Sequence, residues 1–382
     1  MTTEVRNETP AAKGGLEGIV AATTALSKVE GSQGRLIYRG YNIHDLAQNV
    51  SFEEVAFLLW HGRLPVRTEL EELLSAMEAE RSLPVSVLEV LKALPASTDP
   101  MDALRTAVSA WGAALPVKGT PTIQQAIALT ARIPVILAAF DRLRRGLEPV
   151  PPRSDLDHAA NYLYMLNGVE PSTGQVRALN AYLVMLADHG MNASTFTARV
   201  VASTQSDLVS SIVAAIGALK GPLHGGAPAK VLDMLEAIKA AGGASAAERW
   251  LRAALARGDR LMGFGHRVYK TSDPRAEELR TMAEVASPAE FKLALQIEEL
   301  ALALLAESKP GRRLYTNVEY YSAVLLASVG LPGDLFTPTF AASRTAGWTA
   351  HVLEQVANNR LIRPEAEYTG PLSATFVPMD KR

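Results

Sequence analysis

Three of the seven histidines lie in polar or glycine-rich breaks between apolar runs, where a small molecule can approach both the imidazole and the backbone. His189 precedes a glycine in a polar break after an apolar run, His224 lies within the sequence GPLHGG, and His266 ends the sequence GFGH. Since imidazole exchanges protons near neutral pH, all three are candidates for acid–base or binding roles. The remaining histidines lie inside helical patterns, and we predict structural roles for them: His44, His61, His158 and His351.

His224 has a further property that follows from its position. Pro228 is typical of the first residue of a helix, so His224 precedes a helix N-terminus, whose partial positive charge opposes protonation of the imidazole. A neutral imidazole can donate a hydrogen bond to a carbonyl oxygen that gains negative charge. Glu319, among apolar and aromatic residues in the sequence NVEYYS, offers a carboxylate partner, although an acid there is also typical of a helix start.

Several other kinds of site are excluded by the sequence. The chain has no cysteine, which excludes disulfides, thiolate metal ligands and a cysteine acyl-enzyme. The dipeptide Gly-Lys does not occur, so there is no Walker A loop, and the sequence HExxH is also absent. No two histidines are four residues apart, and we therefore predict no metal site.

Composition indicates a folded chain with a sizeable core. Of the 382 residues, 48% are hydrophobic and 20% are charged. The 38 Lys and Arg against 40 Asp and Glu give a net charge of −2, which points neither to nucleic acid nor to an anionic membrane. The N-terminal residues are polar, and the longest apolar runs, such as residues 133–140, fall well short of the roughly 18 residues that indicate a membrane span. We therefore expect a soluble cytoplasmic protein.

The elements that must position the candidate residues are predicted to be helices. Ser51 begins a capping-box pattern ahead of an apolar run. A capping residue followed by proline, typical of a helix start, occurs at Asp99, Ser287 and Thr337. The best strand candidate is residues 34–40. These patterns predict a predominantly α-helical fold.

The sequence as a whole resembles the citrate synthase family, which includes the 2-methylcitrate synthases. The resemblance rests on GLEGIVA at residues 15–21, RGY at 39–41, the three histidine motifs, and NRLIRP at 359–364. These motifs occur in order over nearly the whole chain. The length is similar to that of the short dimeric form in bacteria and archaea.

This resemblance implies an all-α, two-domain fold and a specific reaction. A large helical domain would comprise residues 1–223 and 325–382, and a smaller mobile domain, residues 224–324, would bind CoA and close over the site. In the family, oxaloacetate condenses with acetyl-CoA, and citryl-CoA is then hydrolysed to citrate and CoA. The reaction is an acyl transfer in which acetyl-CoA is a substrate and no cofactor takes part.

The matching motifs also imply roles for individual residues. By resemblance, His224 stabilises the enol of the acyl-CoA, His266 acts as an acid at the oxaloacetate carbonyl, and Glu319 is the base that removes the methyl proton. The dicarboxylate-binding residues of the family map onto His189, Arg275, Arg344 and Arg363. Guanidinium groups suit carboxylates because two N–H donors meet two oxygens. The basic residues expected near CoA are Lys270, Lys309, Arg312 and Arg313.

The resemblance implies a homodimer as well, and helix geometry favours one. If residues 338–357 form one helix, Arg344 lies about 20 Å from the end of that helix at ~1.5 Å per residue. Arg363 follows that end and would not reach the same small ligand. We therefore expect the partner subunit to supply this arginine.

Two positions depart from the family pattern. Most members have aspartate in place of Glu319 and asparagine in place of Pro228. Three functions remain open: a citrate synthase, a 2-methylcitrate synthase that uses propionyl-CoA, and a catalytically inactive helical scaffold, which only the change at Glu319 favours. The first two differ by one methylene of the substrate, worth only ~1–3 kcal/mol of discrimination.

Overall fold

The computed structural model describes residues 14–16, 18–115, 119–265, 269, 271–308, 310–311 and 314–382. Within these residues the chain forms sixteen α-helices and one three-stranded antiparallel sheet. Because helices make up most of the described residues and the sheet is small, the predicted all-α fold is confirmed.

A small sheet precedes the first helix. Strand β1 (Ser27–Glu30) pairs with β2 (Arg35–Tyr38), which pairs with β3 (Tyr41–Asn42). Strand β2 confirms the strand predicted within residues 34–40. The outer strands were not predicted, because segments of four and two residues are too short to show an apolar alternation.

Ten helices, α1 to α10, lie between the sheet and the sequence GPLHGG. Their bounds, in order, are Ile43–Asn49, Phe52–His61, Arg67–Glu80, Val85–Ala93, Pro100–Ala114, Ile123–Arg144, His158–Asn167, Thr173–Leu186, Ala193–Ser203 and Leu208–Leu219. Five helices, α11 to α15, follow that sequence and pack on one another. Their bounds are Ala227–Ala240, Ala244–Ala256, Pro274–Ala286, Pro288–Ser308 and Val318–Ser328. Helices α13 and α15 also pack against α8, which connects this group to the rest of the chain.

Helix α16 (Phe336–Ala357) lies in the core, where it packs against α2, α6, α8, α9 and α10. Its close fit depends on Gly347. A Cβ at this position would lie 2.2 Å from the carbonyl oxygen of Ala187, and the Gly347 N–H donates to that same oxygen at 3.1 Å. The loop that follows α8 is therefore held directly against α16.

The helix starts agree closely with the capping signals in the sequence. Ser51 caps α2 with a complete capping box, and the Asp99 side chain accepts hydrogen bonds from two N–H groups at the start of α5. Helix α14 begins at Pro288, as predicted. Helix α16 begins two residues before the predicted Pro338, because the 3₁₀ turn Gly333–Leu335 runs directly into it.

Among the described residues, α6 is the one helix long and apolar enough to cross a membrane by length and composition alone. Most of its residues are buried among the other helices, including Asp141, which pairs with Arg144 and Arg145. A helix that is apolar on all sides and covered by protein is typical of a core helix.

Candidate active site

The loop between α8 and α9 carries His189. Its turn depends on Gly190, whose φ of 60° lies in the left-handed region that glycine adopts without strain. The loop ends at Asn192, which caps α9 by accepting a hydrogen bond from the Thr195 N–H. His189 Nε2 lies 3.2 Å from the Tyr269 hydroxyl oxygen. The polar break in the sequence is therefore a tight loop that presents an imidazole.

His224 is a neutral imidazole whose proton position is set by its neighbours. The backbone N–H of Ser194, in the first turn of α9, donates to His224 Nε2 at 3.2 Å, and Ser194 Oγ lies 2.8 Å from the same nitrogen. Because a backbone N–H can only donate, Nε2 is the acceptor and the proton resides on Nδ1. Burial, and then the charge of Arg344, lower the pKa of His224 to about 4. Helix α11 begins one residue before the predicted Pro228, so His224 does precede a helix N-terminus.

Arg344 is a buried cation with donors to spare. The residue is 1% exposed, its Nε donates to the Leu186 carbonyl oxygen at 2.7 Å, and its guanidinium carbon lies 4.6 Å from the centroid of the Phe340 ring. No described residue accepts a hydrogen bond from its two Nη atoms. Burial lowers the pKa of Arg344 to about 10, with Asp188 opposing that shift, so the side chain is charged at neutral pH. Such a group is suited to an anionic ligand.

Arg275 lies at the start of α13 and faces the same region. Asp273 caps this helix and also holds the guanidinium, with Nε 3.0 Å from Oδ1 and Nη2 2.8 Å from Oδ2. The guanidinium carbon lies 5.9 Å from the ring centroid of Tyr269, which in turn contacts His189. The charge of Arg275 also contributes to lowering the pKa of Arg344, so the two guanidinium groups lie within electrostatic reach of each other.

Glu319 lies at the start of α15, beside a short run of paired backbone. Asn317 caps this helix by accepting the Glu319 N–H at 3.2 Å. The Asn317 backbone N–H donates to the Gly263 carbonyl oxygen at 2.9 Å, and its Nδ2 donates to that of Gly265 at 2.8 Å. A Cβ on Gly263 would lie 2.8 Å from an aromatic ring of α15, so a larger residue would not fit there. The segment GFG that precedes His266 is thus fastened to the start of α15.

The carboxylate of Glu319 is shielded from water on one side. Its Oε2 atom is buried and accepts no hydrogen bond from the described residues. Burial raises the pKa of Glu319, and the charge of Arg275 opposes that rise. A carboxylate in such a setting binds a proton more strongly than one in water, which favours a role as a general base.

Contacts and charge coupling connect five of the predicted residues. Tyr269 lies between His189 and Arg275, and Phe340 contacts both the Arg344 guanidinium and the His224 ring. Arg275 couples electrostatically to Glu319 and to Arg344. The connected set is His189, His224, Arg275, Glu319 and Arg344.

Of the remaining predicted residues, one lies elsewhere in the structure and five are outside the described residues. Arg363 is exposed beyond the end of α16 and lines a separate cleft of about 860 Å³. Five predicted residues fall outside the described part of the chain: His266, Lys270, Lys309, Arg312 and Arg313. In the part that the structure describes, no group of three or more His, Asp or Glu side chains is arranged to hold a metal ion.

Comparison with known proteins identifies the family. A family model described as "Citrate synthase, C-terminal domain" matches residues 15–365. The chain belongs to the citrate synthase family. Citrate synthase 2 of Bacillus subtilis is 47% identical over 378 residues, which cover 96% of this chain and 98% of that protein.

Two further members of the citrate synthase family show the range of the match. The 2-methylcitrate synthase of Mycobacterium tuberculosis is 43% identical over 374 residues, which cover 97% of this chain and 93% of that protein. The citrate synthase of Thermoplasma acidophilum, solved as a ternary complex with carboxymethyl coenzyme A and oxaloacetate, is 31% identical with a TM-score of 0.88. That match covers 96% of this chain and 98% of the solved chain. The family and the fold predicted from the sequence are therefore confirmed.

Three residues that organise this citrate synthase site were not predicted from the sequence. Asp273 precedes a proline, as a helix cap often does, but its side-chain contact with Arg275 depends on side-chain conformation. Tyr269 and Ser194 are separated from the histidines they contact by 80 and 30 residues, and no local pattern marks them. The only available signal was the proximity of Ser194 to the Asp-His pair at the start of its loop.

Proposed function

We propose that this protein is a citrate synthase, which condenses oxaloacetate with acetyl-CoA and hydrolyses citryl-CoA to citrate and CoA. One observation carries the proposal: the neutral imidazole of His224 and the carboxylate of Glu319, whose pKa is raised, are coupled electrostatically through two buried arginines. These arginines are Arg344 and Arg275. Removing a proton from carbon needs a base and a hydrogen-bond donor together. Binding a dicarboxylate needs the cations.

In the first step, Glu319 and His224 form the enol of acetyl-CoA. The methyl group beside a thioester is a weak carbon acid, so its proton leaves only if the carbonyl oxygen is stabilised at the same time. Glu319 takes the proton, the electrons of the C–H bond form a carbon–carbon double bond, and the carbonyl oxygen gains the negative charge of an enolate. The Nδ1–H of His224 donates to the enol oxygen, a role supported by the Ser194 N–H that occupies the opposite ring nitrogen.

In the second step, the enol carbon attacks the ketone carbon of oxaloacetate. Arg275, Arg344 and His189 are proposed to hold the two carboxylates and orient the ketone. His266, which lies outside the described residues, is proposed to give its proton to the ketone oxygen. Water then cleaves the thioester and releases CoA. Holding both substrates in attack geometry contributes roughly 7–11 kcal/mol in favourable cases.

Water must be excluded until the carbon–carbon bond has formed, because early hydrolysis would waste the thioester. We propose that residues 224–324 form a unit that closes over the remainder, residues 1–223 and 325–382. The packing of α11 to α15 on one another supports this division. The CoA phosphates would meet Lys270, Lys309, Arg312 and Arg313. We propose no cofactor, and we place the reaction in the cytoplasm, because acyl-CoA thioesters are intracellular metabolites.

A homodimer completes the proposed site. Helix α16 extends to Ala357, so Arg344 lies about 20 Å before its end at ~1.5 Å per residue. Arg363 follows that end on the exposed side of the chain. A two-fold partner supplies the arginine that a chain cannot deliver to its own site.

The proposal is tested by measuring thiol release from oxaloacetate plus acetyl-CoA. Because the chain has no cysteine, a thiol reagent reports only the CoA that is set free. We expect turnover that requires both substrates. Absence of CoA release by a folded protein, with either acetyl-CoA or propionyl-CoA, would instead indicate the inactive scaffold.

The second candidate is a 2-methylcitrate synthase, which the 43% identity to the M. tuberculosis enzyme favours. The two candidates differ in the acyl-CoA alone, and one methylene changes specificity by only ~1–3 kcal/mol. Values of kcat/KM for acetyl-CoA and propionyl-CoA, measured with the same preparation, decide between them. We expect the larger value for acetyl-CoA.

A further inference from the structure

A buried row of polar side chains lies behind the loop that carries His189. Arg199 is 3% exposed, and its Nη1 lies 3.1 Å from Nδ1 of His351. His351 is 0% exposed, and its Nε2 is hydrogen-bonded at 3.4 Å to Oδ2 of Asp188, the residue directly before His189. At the far end, Arg199 donates to Glu354 Oε2 at 2.7 Å. The row therefore leads from the cleft lined by Arg199 and Glu354 to the candidate substrate site.

The hydrogen bonds in this row run in one direction only. A guanidinium group can donate but cannot accept, so His351 Nδ1 must be the acceptor for Arg199. Nε2 therefore carries the proton that is donated to Asp188. If Arg199 were absent, the other tautomer would direct a lone pair at a buried carboxylate. Arg199 thus determines which ring nitrogen of His351 donates a hydrogen bond.

Asp188 connects this row to both sides of the loop. Its Oδ2 accepts from the Ser27 hydroxyl and from the Gly190 N–H, the latter at 3.3 Å. Its backbone is held by Tyr38, whose hydroxyl lies 2.7 Å from the Asp188 carbonyl oxygen and 3.1 Å from its N–H. Asp188 is therefore held in place itself and also holds Gly190, so both neighbours of His189 are fixed.

Asp188 also affects the pKa of Arg344, the buried cation of the candidate site. Burial alone would raise the pKa of Asp188, but its pairing with His351, through charge and a hydrogen bond, and then the charge of Arg344 outweigh burial and lower it. The resulting carboxylate opposes the lowering of the Arg344 pKa by burial. A well-held Asp188 thus keeps a charged Arg344 next to an oriented His189.

We propose that His351 is a positioning residue that acts through Asp188 to prepare the dicarboxylate-binding half of the site. The proposal rests on the proposed function, in which His189 and Arg344 bind oxaloacetate. It extends the structural role that the sequence predicts for His351. In the part of the chain that the structure describes, the row makes no hydrogen bond to Glu319 or His224, so its loss should weaken oxaloacetate binding and leave acyl-CoA binding intact.

The test compares His351→Leu with His351→Gln in the full-length protein. The leucine variant cannot donate to Asp188, and we expect the KM for oxaloacetate to rise about tenfold or more while the KM for acetyl-CoA stays unchanged, since hydrogen bonds to charged groups are the strong ones. The glutamine amide can accept from Arg199 and donate to Asp188, so it should restore most of the affinity. Thr349→Val is the matched control. Thr349 lies on the same helix as His351, and its substitution removes a different buried hydrogen bond, which Trp60 of α2 donates to the Thr349 hydroxyl at 2.9 Å.

Arg199→Met gives a second route to the same result if His351→Leu folds poorly. Residues acting in one row are not additive, so the double variant should bind oxaloacetate about as weakly as either single variant. Oxaloacetate affinity is also measured by calorimetry without acyl-CoA, which tests the row even if the protein proves unable to turn over. An unchanged oxaloacetate affinity in His351→Leu and Arg199→Met, or an equal loss in Thr349→Val, would overturn the proposal.

Discussion

Burial acts in opposite directions on the pKa values of the two candidate proton-transfer groups, because desolvation disfavours the charged form of each. It lowers the pKa of His224 to about 4 and raises that of Glu319. At neutral pH the imidazole therefore stays a neutral donor, while the carboxylate gains affinity for a proton. Arg275 opposes the rise at Glu319, which keeps the carboxylate available as a base. The same buried environment thus prepares His224 as a hydrogen-bond donor and Glu319 as a base.

The first prediction concerns the base. Glu319→Gln keeps the shape of the side chain but cannot accept the proton, so we expect a normal Tm and a kcat lower by about 10²–10⁴. Glu319→Asp keeps the base but retracts it by one methylene, and a displacement of that size costs on the order of 10²-fold. Both are checked by CoA-thiol release alongside thermal unfolding. Wild-type turnover in the glutamine variant would mean that another group is the base.

Local patterns and the resemblance to the citrate synthase family together predicted the candidate residues, whereas their partners came only from the structure. The position of His224 ahead of a helix could be read from Pro228, because a helix start depends on neighbouring residues. The tautomer of His224 could not, since it depends on Ser194, 30 residues earlier. The same holds for the contact of His189 with Tyr269 across 80 residues.

At the scale of elements, capping residues predicted several helix starts because a cap is satisfied by the next few N–H groups. The packing of those helices was less accessible to prediction. Gly347 stands in an unbroken helix, where a glycine has no visible purpose in the sequence. The missing side chain allows Ala187 and Asp188 to pack against the helix, since a Cβ on Gly347 would lie 2.2 and 2.7 Å from their atoms. Only the tertiary structure shows that this glycine fits the loop carrying His189 against the core.

The second prediction follows from that contact. Gly347→Ala forces the loop carrying His189 away from α16, and we expect a loss of ~1–3 kcal/mol in the free energy of unfolding, together with a raised KM for oxaloacetate. Gly174→Ala is the matched control, since a Cβ there would meet only the Ser172 hydroxyl at 3.9 Å. That change should leave KM unaltered and increase stability by at most about 1 kcal/mol. Denaturant unfolding and initial-rate kinetics on both variants distinguish these outcomes, and an unaffected KM in Gly347→Ala would contradict the role given to this contact.

At the scale of the whole molecule, one chain holds five connected site residues but leaves Arg363 on the surface. The sequence anticipated this separation, because the length of a helix can be calculated from its residues. In the proposed homodimer, which chain receives Arg363 depends on how the two subunits are arranged, and local sequence patterns do not encode that arrangement. Whether Arg363 acts in its own chain's site or in the partner's can therefore be tested by complementation between two inactive chains.

The last prediction uses hybrids of two inactive chains. One subunit carries Glu319→Gln and the other Arg363→Leu, with different tags so that the mixed dimer can be purified. If Arg363 acts in the partner's site, one site of the hybrid is doubly defective and the other is intact, and about half of wild-type turnover returns. If Arg363 acts in its own chain, both sites stay defective. A hybrid of Glu319→Gln with His224→Asn should remain inactive, because both residues belong to the same chain's site. Recovery in the first hybrid and not in the second establishes that the site is shared, and failure of both would return Arg363 to its own subunit.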